Sequence, residues 1–411
     1  MATILAYTSP ALGHLFPMTP LLLELRDRGH RVHVRTLGDQ VDLMTSLGLE
    51  ASAIDERIAT VIHPDWEASN PKEALLVAVR TFAERGRYDG PDLDAAIEAV
   101  RPDLLIVDIN SWGALNAAEA SGLPRVIFSP FTPPLKSRGV PPFGPGLKPQ
   151  HGLRGRIRDG IVRPLVIGVA ERTMRPDVNR LRASHGLQPV RGADDFFRQG
   201  QLMLVTTAEP FEYPHPDWAP DVQMIGASPW EPAQEPPTWL DEIDRPVVLV
   251  TTSSEFQDDG VLVRTALEAL ADEPVSVVAT MPAGVEDGLT VPANARVEQF
   301  VPHGPLLDRA AVAVTHGGMG ATQKALLRGV PVCVVPFGRD QMEVARRVEV
   351  SGSGTRLPAG KLTPERLRES VRQAMTCTEG ARRVAAGFAA AGGAAAGADA
   401  IEERLIAATA R

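Results

Sequence analysis

Cysteine is nearly missing from this chain: Cys333 and Cys377 are the two among 411 residues. Neither has metal or redox spacing, which excludes a disulfide scaffold and leaves both as packing residues in a reducing, cytoplasmic setting. An excess of positive charge is missing too, with 42 basic against 51 acidic residues and a net charge of -9. Nucleic acid is therefore excluded as the principal partner, since a phosphate backbone needs basic surface, and any phosphate has to be held locally. No apolar run reaches the roughly 18 residues of a membrane span, and MATILAYT runs into a strand without a basic leader, so no membrane span is expected. Ala385 to Ala400 comes nearest, but its glycines, with Asp399 and Glu402 beside them, favour a surface helix or a loose segment. A carboxylate pair to clamp a metal is also wanting. The D-x-D at Asp92-Leu93-Asp94 opens an amphipathic helix, where acidic residues are usual, so neither a metal nor a cofactor is expected.

What is present is alternation of strand and helix, in a chain long enough for two or three domains. Apolar stretches at Thr3–Tyr7, Arg31–Arg35, Leu104–Asp108, Arg125–Ser129 and Leu202–Thr207 read as strands with helices between them, which predicts an α/β first half with a parallel sheet. Residues 130–155 are rich in proline and glycine and read as a long functional loop. Eight prolines between Pro210 and Pro237 mark a linker. The alternation restarts at Val247–Val250 and continues through Val275–Thr280 and Arg296–Gln299. The expected division is residues 1–209, a linker over 210–245, a second α/β domain over 246–397, and a C-terminal helix over 398–408 packing back on the first half.

The stretch Val312 to Gln341 carries most of the chemistry. An apolar strand, Val312–Thr315, meets His316, Gly317, Gly318 and Gly320, and Ala321–Arg328 suits a helix ended by Gly329. Glycines at such a turn let a ligand approach the backbone, and the free N–H groups and dipole of the helix start favour phosphate. His316 adds a donor. The next strand, Val330–Pro336, delivers Asp340 and Gln341, acceptors and an amide suited to sugar hydroxyls. Diphosphate and sugar together indicate a nucleotide-activated sugar. In the first half, SPALGHLFP places His14 just after the first strand. A 3-2-1-4-5 strand order sets Asp108 beside it, so that a histidine oriented by a carboxylate forms a general base. Trp112, Phe131 and Phe143 lie in or near the first-half loops, where aromatic walls would suit a flat or polyketide-like acceptor.

These residues give the chain its resemblance to a known family. Pro10, Gly13, His14 and Pro17, together with the segment Phe300 to Gln341, resemble a family-1 glycosyltransferase of the GT-B fold, in the bacterial macrolide and natural-product group. The resemblance implies two Rossmann-like domains facing across a cleft. It also implies inverting, metal-independent transfer of a hexose or deoxyhexose from a UDP- or dTDP-sugar co-substrate to a hydroxyl of a lipophilic small molecule. His14 then matches the base and Asp108 its partner. His316, Gly317, Gly318 and Gly320 match the diphosphate loop, Asp340 and Gln341 the donor-sugar pair, and Phe300, Val301 and His303 the base-binding segment. Two positions depart from the family. The loop after Val247–Val250 reads TTSSEF, with Ser253 at a usual Gly and Ser254 at the phosphate-contacting hydroxyl; and Lys324 stands where a ribose-binding Glu is common, which leaves room for dTDP. A GT-B epimerase and a non-catalytic nucleotide-sugar-binding helper are the alternatives. Either a monomer or a homodimer is compatible with the sequence.

Overall fold

The computed structural model describes residues 1–407 except Ser69, His151 and Ala219. The first half forms seven parallel strands: β1 (Thr3–Tyr7), β2 (Arg31–Thr36), β3 (Glu50–Ala53), β4 (Leu104–Asp108), β5 (Arg125–Ser129), β6 (Leu202–Val205) and β7 (Val222–Met224). They are ordered β3-β2-β1-β4-β5-β6-β7, so β4 lies against β1 with Ile4 opposite Leu104. The second half forms six parallel strands: β8 (Val247–Thr251), β9 (Ser276–Thr280), β10 (Ala295–Glu298), β11 (Ala310–Thr315), β12 (Val332–Val334) and β13 (Gly354–Arg356). Their order is β10-β9-β8-β11-β12-β13. Every residue of β4 and of β8 is buried, as parallel strands are when helices cover both sheet faces. Alternate residues of β1 feed separate cores. Leu5 and Tyr7 pack with Leu105, Val107 and Trp112, whereas Ile4 and Ala6 pack with Leu21, Leu22 and Ile106. The architecture is GT-B: two doubly wound sheets, each with a topological switch point, between β1 and β4 and between β8 and β11, the place at which such sheets generally take ligands.

Three stretches refine or correct the sequence reading. The Ala/Gly tract is not loose; it lies in the helices Thr378–Ala390 and Gly393–Ile401, followed by a π turn at Glu402–Ile406, and these are surface helices with one face exposed at Ala386, Ala389 and Ala395 and the other buried. Ala398, Ile401 and Leu405 join the first-half core beside Leu15, Leu21 and Leu22, so small residues here permit close helix packing. Ala408, the expected end of this helix, lies outside the described residues. By length and composition alone, Thr378–Ile406 is apolar enough to cross a membrane. It is interrupted at Gly392 and Gly393, whose φ values are +85° and +60°.

The second stretch is residues 210–245, expected as linker throughout. They contain β7, whose Val222 pairs with Met203 of β6. A strand of three residues among prolines is too short to show a period, which hides it from the sequence. The connection between the sheets therefore begins after Met224. In the third, the loop expected over 130–155 gives way to a long helix, Gly152–Ser184, within its last residues.

Candidate active site

The order of the first sheet brings the expected base and its partner together. His14 sits in the first turn of the helix Leu12–Asp27, and Asp108 closes β4. Nδ1 of His14 lies 2.7 Å from Oδ2 of Asp108, whose side chain is wholly buried. An ionised carboxylate can only accept, so Nδ1 carries the proton and Nε2 the lone pair. Burial pulls the His14 pKa down. The Asp108 charge and hydrogen bond outweigh it, Glu255 and Asp340 add to them, and the imidazole titrates above its ordinary value. Asp340 belongs to the other half, so the two sides of the cleft meet electrostatically at this ring. Asn110 was not singled out by the sequence. Its amide nitrogen stands 3.3 Å from His14 Nε2 and its backbone N–H donates to Asp108 at 2.8 Å. Its one signal was its place two residues past the strand end.

Across the cleft, β11 ends at Thr315 and the helix Met319–Leu327 follows without a side-chain cap. Gly317 has φ +99°, and a Cβ there would come 2.9 Å from Val334 Cγ1, so glycine is required. At Gly318 a Cβ would meet His316 Nε2 at 2.4 Å. The turn thus lays the His316 ring directly against the helix start. His316 is buried, and its Nδ1 finds no hydrogen-bond partner among the described residues. Burial lowers its pKa, against the pull of the Asp259 charge and of a Thr251 backbone hydrogen bond.

Asp340 and Gln341 open the helix Gln341–Ser351 beside this turn. Burial raises the Asp340 pKa. Gln341 is nearly enclosed by protein. Its Oε1 accepts from the Phe337 and Gly338 N–H groups at 2.8 and 3.0 Å, and its Nε2 donates to Gln257 at 2.7 Å. One amide hydrogen remains uncommitted by these bonds, so Gln341 holds the loop at least as much as it offers itself to a sugar. Gln257 in turn donates to Ser253 Oγ at 2.7 Å, and the Ser253 N–H donates to Asp259 at the same distance. The place of the usual glycine is therefore a braced corner, with Ser254 exposed beside it. Neither Gln257 nor Asp259 was legible beforehand.

In the segment expected to bind the nucleotide base, Phe300 is 49% exposed and Val301 is buried. His303 Nε2 lies 3.0 Å from Thr280 Oγ1, and burial, with the nearby Lys324 charge, pushes its pKa down to about 4. Lys324 does not point to solvent. Its ammonium meets Glu231 at 2.6 Å, and Glu231 also accepts from the Gly304 N–H at 2.9 Å.

The acceptor candidates separate. Phe131 turns its ring edge-on to His14, with centroids 5.9 Å apart, which sets it at the cleft. Trp112 is 3% exposed and packs among Phe82, Phe196 and Phe197; opening a helix that faces inward, it belongs to the core and not to an acceptor wall. Phe143 is half-buried on the proline/glycine loop, close to where that loop is tied down. The Gly144 and Gly146 N–H groups both donate to Glu343 Oε1 at 2.8 Å, so the loop hangs from the helix that Asp340 starts. Gly146, at φ +58°, has no room for a Cβ, which would lie 2.2 Å from the Met342 carbonyl oxygen. Replacing Gly146 with Ala is expected to raise the acceptor KM about tenfold, the equivalent of ~1.4 kcal/mol of binding, with donor KM little changed. Steady-state kinetics with each substrate varied in turn would check this. The D-x-D carboxylates are engaged elsewhere: Asp92 accepts from Tyr7 Oη at 2.9 Å and pairs with Arg35, and Asp94 meets His185 at 3.1 Å.

Residues 264–403 match the family described as erythromycin biosynthesis protein CIII-like, C-terminal domain. The chain is 34% identical over 385 residues to 4'-demethylrebeccamycin synthase of Lentzea aerocolonigenes, covering 90% of this chain and 91% of that one. Among solved structures, the glycotransferase of kitacinnamycin superposes with a TM-score of 0.78 at 24% identity, over 98% of this chain and 99% of that one. The glycosyltransferase VinC in complex with dTDP gives 0.69 at 23%, over 98% and 100%. With its two facing sheets and its full-length kinship to a rebeccamycin-type synthase, this chain belongs to the natural-product glycosyltransferases of family 1, enzymes of the GT-B fold.

Proposed function

We propose that the protein catalyses inverting, metal-independent transfer of a hexose or deoxyhexose from a nucleoside-diphosphate sugar to a hydroxyl of a lipophilic small molecule. The observation that carries this reading is the His14–Asp108 pair, 2.7 Å apart, in electrostatic contact with Asp340 across the cleft. Nε2 of His14 takes the proton of the acceptor hydroxyl. The oxygen attacks the anomeric carbon from the face opposite the diphosphate, the bond from that carbon to the phosphate oxygen breaks, and the configuration inverts. Asp108 stabilises the imidazolium that forms. The uncapped helix start at Met319, with the His316 ring laid against it, is suited to the charge developing on the leaving diphosphate. A non-catalytic helper would have no use for a base held in this way.

Of the two donors, dTDP is the better supported. Lys324 offers no acceptor for a ribose 2′-hydroxyl, and the carboxylate nearest it, Glu231, is already committed to Lys324 and Gly304. VinC was solved with dTDP. The expected result is that proton NMR of the product shows an anomeric configuration opposite to that of the donor, and that EDTA leaves initial rates unchanged. Retained configuration, or a loss restored by Mg²⁺, would overturn the mechanism.

A further inference from the structure

One ionic cluster at the cleft is used by none of the steps above. Arg339, immediately before Asp340, reaches from the second half to the first and meets both carboxylate oxygens of Asp65, Nε to Oδ2 at 2.9 Å and an Nη to Oδ1 at 3.0 Å. Its remaining Nη donates to Glu255 Oε2 at 2.8 Å, within its own half. The Asp65 side chain is 6% exposed and that of Arg339 21%, so these bonds form largely out of water. Beside them Trp66 of the first half meets Phe256 of the second edge-to-face, with centroids 5.5 Å apart. Arg339 also holds φ at +52°, a conformation that non-glycine residues seldom keep without support from their surroundings.

The two carboxylates are not equivalent. Separating the halves breaks both Arg339–Asp65 bonds and the Trp66–Phe256 contact but leaves Arg339 on Glu255. The guanidinium thus stays aimed at the first half when the cleft opens. A planar fork on a planar carboxylate is strongly directional, so it remakes one geometry on closing. That geometry fixes the peptide joining Arg339 to Asp340.

We propose that Asp65, Arg339 and Glu255 form a latch across the cleft that closes it over the donor and sets the position of Asp340. Arg339 and Asp65 are positioning residues. By shutting out water they direct the anomeric carbon to the acceptor hydroxyl and away from hydrolysis, in which water attacks that carbon and the nucleoside diphosphate leaves. The inference rests on the cleft being the donor site.

The test uses the full chain with Asp65→Asn, Arg339→Gln and the double variant. With dTDP- and UDP-sugars, each single variant is expected to lower the ratio of transfer to donor hydrolysis at least about tenfold, and the double variant to add nothing further, since both singles break the same link. Amide hydrogen exchange across residues 61–67 is expected to quicken in both singles. An unchanged ratio, additive losses or unchanged exchange overturns the latch. Exchange needs no turnover, so it decides on the latch even if the parent protein transfers no sugar, a result that would sink the functional reading alone.

Discussion

Replacing His14 with Ala is expected to lower kcat/KM for transfer by about 10²–10⁴, the usual contribution of a positioned general base, and to leave nucleotide binding by calorimetry nearly unchanged. The two readouts separate because His14 belongs to the first half, while the helix start at Met319 and the segment from Phe300 to His303 lie in the second. Only the neutral imidazole can accept a proton. Since Asp108 raises the His14 pKa above its ordinary value despite burial, kcat/KM should rise with pH through an inflection above 6.5. Asp108→Asn removes the charge and should move the inflection down while lowering the plateau. Activity of His14→Ala equal to that of the parent, or an inflection indifferent to Asp108→Asn, would rule out His14 as the base.

The dyad was legible in the sequence because both members stand at ends of strands, and strands buried on both faces leave nearly continuous apolar runs. Once those runs were ordered 3-2-1-4-5, β4 had to lie against β1, and Asp108 had to reach the helix start carrying His14. The glycine turn was legible for a related reason: strand, turn and helix are contiguous in the chain. What escaped detection depends on partners remote in sequence. Arg339 meets Asp65 across 274 positions, and Arg347 meets Glu212 across 135, with no local pattern to announce either pair. Trp112 misled because a residue just after a strand can face the cleft or the neighbouring helices, and helical period does not say which. Gln341 showed its place but not its bonds, since Gln257 comes from a loop whose path depends on Asp259.

Arg347→Ala is expected to destabilise the protein by about 3–5 kcal/mol, the cost of leaving a buried ion pair with one partner removed. Arg347 and Glu212 are almost wholly buried, joined by Nε–Oε1 and Nη–Oε1 distances of 2.8 and 2.7 Å, and Glu343 meets the same guanidinium at 2.8 Å. Tyr213 lies under it at 4.4 Å, and Thr132 of the proline/glycine loop donates to Glu212. Truncation would take the cation from two buried carboxylates at once, one on the connection after β6 and one on the helix that holds Gly144 and Gly146, and leave them only neutral donors and His215, so both halves should loosen. Burial alone would raise the Glu212 pKa, but the Arg347 charge, with the hydrogen bonds of His215 and Arg347, outweighs it and holds the carboxyl at about 2, against 4.5 unperturbed. A depressed carboxyl pKa contributes stability above the unfolded value and loses it as pH falls from about 4.5 toward 2. In Arg347→Ala the buried Glu212 would instead take up a proton early. The gap between parent and variant in urea unfolding should therefore be widest near pH 7 and shrink steadily below pH 4.5. A constant gap across that range would mean that the loss comes from packing around the guanidinium and not from its charge.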